Sequence, residues 1–251
     1  MSHLHDEHHD DAQHEALVNN YPSNSLEEFT KELCTQDCVI VFIGDPGAGK
    51  TTFIHQLTGK PMKVRPPELL LEADTIEVEY HRIEPASWTR GNCLFAIDTP
   101  AMDGDQDVTL TNKIMPWVLS ATEKRVASIC FVYVVDLMLP IVTHRFERMR
   151  RFFVPCVADE VAYTVILAST KWSRLPMREA EIYQKVLETK VWKKHIEEGA
   201  TVLKLTEIGQ LEKDAITSVL PPLRPSLPSL SLHERLRLRF IKLKLKRAFK
   251  L

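Results

Sequence analysis

The chain has 251 residues, 44% of them apolar, with a net charge of −2 and five scattered cysteines. That is enough for one α/β domain of roughly 180–200 residues plus extensions, but no apolar run reaches the roughly 18–20 residues that cross a bilayer. The polar start has no secretory h-region, and an odd set of cysteines points to reduced thiols and a cytoplasmic location.

Residues 1–24 open on "MSHLHDEHHDDAQHEA", acidic and rich in histidine, which has too little apolar content to pack and reads as a disordered, solvated tail. At Ser25 the pattern "SLEE" predicts a capping box and a helix through Glu32. Cys34 and Cys38 have no second pair at metal-ligand spacing and read as ordinary core or loop cysteines.

From there β-branched, apolar runs alternate with helical patterns. Strands are predicted at Cys38–Ile43, Thr75–Ile83, Cys93–Ile97, Ser128–Val135, Ala162–Ala168 and Thr201–Leu205. Helices are predicted at Lys50–Thr58, Asn112–Thr122, Val142–Phe153, Pro176–Glu198 and Gln210–Leu220. Nearly continuous apolar strands between helices imply a mainly parallel sheet covered on both faces, a three-layer P-loop NTPase fold. Only a turn separates the second and third strands, so that pair is expected to be antiparallel and at one edge.

The folded domain is placed at 25–220, followed by a Pro/Ser-rich linker at 221–232 and a basic segment at 233–251. The last of these carries eight Lys or Arg against one Glu, which leaves the rest of the chain acidic. On a helix, Arg235, Arg239, Lys242, Lys246 and Lys250 form one stripe suited to an anionic membrane surface. As strands, "RLRLRF" and "KLKLK" alternate with period two. An anionic membrane or acidic partner is one expectation and a solvated or self-docked tail the other; nucleic acid ranks behind both.

"VFIGDPGAGKTTFIHQLTG", Val41–Gly59, carries the strongest chemical signal. The spacing Gly44-x-x-x-x-Gly49-Lys50-Thr51, between a strand and a helix, fits a phosphate-binding loop. Main-chain N–H groups would surround the β-phosphate, and the helix would point its positive end at the anion. Lys50 would reach the β- and γ-phosphates, and the Thr51 hydroxyl would ligate Mg²⁺. The candidate nucleotide-binding residues are Gly44, Asp45, Pro46, Gly47, Ala48, Gly49, Lys50, Thr51 and Thr52. The Asp45 carboxylate is expected to stay off the phosphates because of repulsion. Further on, "CLFAIDTPAMDGD" ends a strand in Asp98, a candidate for holding Mg²⁺ from the far side of the phosphates.

The segments "GDPGAGKT", "DTPAMD" and "ASTKWS" resemble the first, third and fourth motifs of translation-factor-class GTPases. The branch they resemble most is the septin, Toc-receptor and immunity-associated (AIG-type) group, including uncharacterised fungal G-domain proteins. The resemblance covers about Val39–Leu220 and implies a G domain that binds GTP or GDP with Mg²⁺ and acts as a switch. It implies contact with the γ-phosphate at position 101, here Ala101, and base recognition by Thr170 and Lys171. Thr75 becomes a candidate third ligand of Mg²⁺, with Thr89 competing. By analogy alone it also implies a homodimer.

Two departures qualify the likeness. Ala101 stands where the group has glycine, which weakens any γ-phosphate sensing that needs φ > 0. Ser173 stands where a carboxylate would accept from guanine, so guanine selectivity depends on a substitute such as Glu179. Trp172 could stack on the base or simply pack. No glutamine directly follows "DTPA" to orient a water, and Gln106 is only close in sequence. The expected activity is slow or negligible GTP hydrolysis, with a nucleotide-holding scaffold and an ATP-binding P-loop protein as alternatives.

Overall fold

A computed structural model describes residues 25–59, 77–84, 93–102, 107–138, 157, 161–205 and 216. The predicted helices at 142–153 and 210–220 (apart from Ile216), with Thr75, Thr89, Gln106, residues 1–24 and the segment 217–251, lie outside these.

Helix α1, Leu26–Glu32, starts as expected: the Ser25 hydroxyl accepts from the Glu28 N–H and the Glu28 carboxylate from the Ser25 N–H, each at 3.2 Å. Its Phe29 is fully buried among Tyr80, Phe95 and Trp117, with ring centroids 5.0–5.7 Å away. The Tyr80 hydroxyl donates to Glu32 at 2.9 Å, and Arg82 also reaches that carboxylate.

The apolar runs become β1 (Cys38–Gly44), β3 (Leu94–Asp98), β4 (Ser128–Asp136) and β5 (Ala162–Thr170), with β2 (Glu79–Ile83) and β6 (Thr201–Lys204) outside them. Sheet order is β2-β3-β1-β4-β5-β6. Every pair is parallel except β2–β3, the edge hairpin expected from the sequence. β1 lies at the centre, Cys38 pairing with Leu94 on one side and Ser128 on the other.

Because strand side chains alternate, the continuous apolar run of β1 supplies two cores. Val39, Val41 and Ile43 face the layer formed by α1, α3 (Asp107–Lys124) and α4 (Met177–Val186). Cys38, Ile40 and Phe42 face α2 (Lys50–Thr58), through Phe53, Ile54 and Leu57.

The single helix predicted over Pro176–Glu198 is interrupted. After α4 comes a wide π turn, Leu187–Val191, and then a short helix α5, Lys193–Glu197. The Trp192 N–H donates to the Leu187 carbonyl at 2.7 Å, and both side chains are buried. Residues five apart do not share a face of an α-helix, so the extra residue per turn brings both inward. None of the helices among the described residues is long and apolar enough to cross a membrane.

Candidate functional site

The C-terminal ends of β1, β3, β4 and β5 converge at one edge of the sheet, where parallel α/β folds bind ligands. β1 ends at Gly44, and a Cβ built there would stand 2.1 Å from the Val134 carbonyl oxygen of β4, so only glycine fits. The loop then exposes its tip at Pro46 and Gly47 and closes at Gly49, the N-cap of α2, with φ 93° in the left-handed region. This cap has no side-chain bond, so the first N–H groups of α2 depend on other acceptors, the arrangement anions exploit at helix starts.

Lys50 is buried beneath the loop, its Nζ donating to the carbonyls of Gly44 at 3.1 Å and Asp45 at 3.2 Å. Gly44 O also accepts from the Met102 N–H at 3.1 Å, which ties the segment after β3 to the loop. The Thr99 hydroxyl anchors the same segment on Phe42 O at 2.7 Å. Ala101 is not among the positive-φ residues, so its methyl group introduces no left-handed strain here.

The two candidate Mg²⁺ ligands meet. The Thr51 hydroxyl donates to the Asp98 carboxylate at 2.7 Å, although 47 residues separate them. Asp98 is 2% exposed. A hydroxyl and a buried carboxylate side by side are hard oxygen donors of the kind Mg²⁺ takes, so these residues fit the ion. Among the described residues there is no group of three or more His, Cys, Asp or Glu that could hold a metal, and Cys34 is exposed while Cys38 is buried. Burial raises the Cys38 thiol, as it does for a residue packed in a core.

On the other flank, Thr170 Oγ1 lies 2.8 Å from Ala48 O and 3.2 Å from Val135 O. Its single proton therefore bridges the loop and the end of β4, with the nearer carbonyl favoured. Lys171 follows in a left-handed conformation, and its Nζ donates to Asp136 at 2.5 Å. Trp172 does not offer its ring to a base: it is buried, with Nε1 donating to Ser169 O and Oγ at 3.2 and 3.1 Å. Ser173 and Glu179 are exposed on the surface that follows. Asp136 is the site residue that the sequence motifs did not name. Its signal was an apolar strand ending in a carboxylate, the same signal that picked out Asp98.

Sheet order, antiparallel edge and the loop between β1 and α2 together make this a P-loop NTPase α/β fold. Among solved structures the chain is similar to a bacterial selenocysteine-specific elongation factor, EF-Sec, with a TM-score of 0.52 and 20% identity over 74% of this chain and 29% of that one. It is also similar to translation elongation factor SelB from Methanococcus maripaludis, solved with the GTP analogue GppNHp. There the TM-score is 0.50 and the identity 16%, over 80% of this chain and 37% of that one. The chain thus spans well under half the length of either structure, and at such identities the likeness is one of fold. No protein-family model and no curated protein sequence matches the chain.

Proposed function

We propose that the chain is a G-domain protein that binds GTP with Mg²⁺ and acts as a nucleotide-dependent switch with slow or negligible hydrolysis. Its branch would be the septin, Toc-receptor and immunity-associated (AIG-type) group. The observation that carries the reading is the meeting of Thr51 and Asp98 beside the loop that ends at Lys50. In this reading the main-chain N–H groups of the loop between Gly44 and Thr52, Pro46 having none, take the β-phosphate, and Lys50 turns from its loop carbonyls toward the β- and γ-phosphates. Thr51 and Asp98, with Thr75 as a third candidate, hold Mg²⁺, which supplies charge neutralisation at those oxygens. Thr170 and Lys171 border the base, and contacts with the γ-phosphate order the segments around Thr75 and Asp98–Asp107. The basic segment 233–251 is assigned to an anionic membrane surface or an acidic partner.

The test is calorimetry with Mg²⁺ and GTP. Lys50→Ala should abolish binding, and unchanged affinity would remove Lys50 from the site. The nucleotide that co-purifies with the intact chain should be GTP or GDP.

A second reading, an ATP-binding protein or a nucleotide-holding scaffold, is favoured by the exposed Ser173, which offers no charged acceptor to guanine. Competition between GTP and ATP for a fluorescent analogue separates the first case. Single-turnover phosphate release separates the second, since a scaffold shows no rate above buffer.

A further inference from the structure

Asp136 is the last residue of β4 and pairs in register with Thr170, the last residue of β5. It is 3% exposed. A carboxylate that deep is costly unless its oxygens are satisfied, and removing one partner of such a pair is worse than never having built it. Both oxygens are engaged: Oδ1 accepts from the Met138 N–H at 2.9 Å and Oδ2 from Lys171 Nζ at 2.5 Å.

Lys171 needs that support. Its backbone sits at φ 62°, ψ 32°, a conformation that disfavours every residue with a Cβ. Its stem is long and flexible, with an ammonium that behaves as a mobile point charge. In the structure the stem is drawn across the rim, so that Nζ ends on Asp136 and 3.9 Å from where a Cβ on Gly47 would stand. One end of the lysine is thus fixed by the bridge of Thr170 to Ala48 and the other by Asp136.

We infer that Asp136 is a positioning residue of the nucleotide site, holding Lys171 along the phosphate loop so that the wall beside Gly47 is ordered before ligand arrives. This rests on the nucleotide-binding reading above. Asp136 is assigned no contact with the ligand: it is almost wholly buried, and each of its oxygens already has a partner within the chain. Its contribution comes through Lys171, by removing rotamer freedom that binding would otherwise have to freeze. The sequence departure at Ser173 makes this ordering more important, since shape and packing then take over from a charged acceptor.

The test is a double-mutant cycle on the full chain, with Mg²⁺–GTP affinity read by calorimetry and folding by thermal melts. Asp136→Asn and Lys171→Met should each weaken GTP by about tenfold, and the double variant should be no weaker than Lys171→Met alone, a coupling that a purely structural role would not produce. If Asp136→Asn does not fold, the same cycle is run with Asp136→Glu, which keeps the charge but displaces the ammonium. Additive penalties, or wild-type affinity in Lys171→Met or in the Asp136 variant, overturn the assignment and leave the nucleotide site standing. A wild-type chain that binds neither GTP nor ATP overturns both readings.

Discussion

Gly44 meets the backbone of Val134 so closely that a Cβ would come to 2.1 Å from the carbonyl oxygen. Two parallel strands are pressed together at the point where β1 must turn into the phosphate loop. Gly44→Ala is therefore expected to cost about 3 kcal/mol or more, since backbone cannot step aside as a side chain can. Chemical denaturation of the purified variant checks this, and a loss below 1 kcal/mol would show that the strands separate freely.

Thr51→Ala and Asp98→Asn should each lower GTP affinity in the presence of Mg²⁺ by about tenfold, or about 1.4 kcal/mol. Both should bind almost equally with and without EDTA, whereas the wild type should lose affinity when Mg²⁺ is chelated. A variant as Mg²⁺-sensitive as the wild type would exclude that residue as a ligand.

Trp172→Phe separates packing from stacking. The loss of Nε1 bonds to Ser169 and of buried volume should destabilise the fold by about 1–2 kcal/mol. Nucleotide affinity should change by less than about twofold, or about 0.4 kcal/mol. A large drop in affinity with unchanged stability would put the indole in contact with ligand.

Burial first, and then the bond to Glu32, push the Tyr80 hydroxyl up to about 12. A group raised in the folded state stabilises fully below its unfolded value, near 10, and that contribution is lost as pH rises from there toward about 12. Wild-type stability should therefore fall across that window, and Tyr80→Phe should flatten the fall. At neutral pH the same variant should lose about 1 kcal/mol, the net worth of one hydrogen bond. A fall of equal steepness in both proteins would assign the alkaline loss to other groups.

The sheet was legible because its strands are read twice. Continuous runs such as "CVIVFIG" and "SICFVYVVD" announce strands covered on both faces, and the short connection before Cys93 announces the antiparallel edge. The phosphate loop was legible because its glycine spacing is written in one short stretch, although the reason for Gly44, its close approach to Val134, shows only in the fold, while Gly49 answers the local demand of a left-handed cap. What the sequence hid is long-range. Nothing local marks Leu187 and Trp192 as inward neighbours, and only the wide turn between them reveals it. Likewise Asp136 carries no motif, and its role emerges only when β4 and β5 end side by side and Lys171 folds back onto it. Trp172 was ambiguous for a similar reason: an indole after a buried strand serves either purpose until its N–H partner is seen.

Phe29 gives helix α1 a meaning for anyone trimming this protein. The seven residues of α1 act as a lid over aromatic rings supplied by the edge hairpin and α3. Shortening the chain to begin at the first strand would keep every motif yet lay Tyr80, Phe95 and Trp117 open to water, a sticky surface prone to self-association. The smallest well-behaved fragment therefore begins no later than Ser25, ahead of every residue that the phosphate chemistry requires.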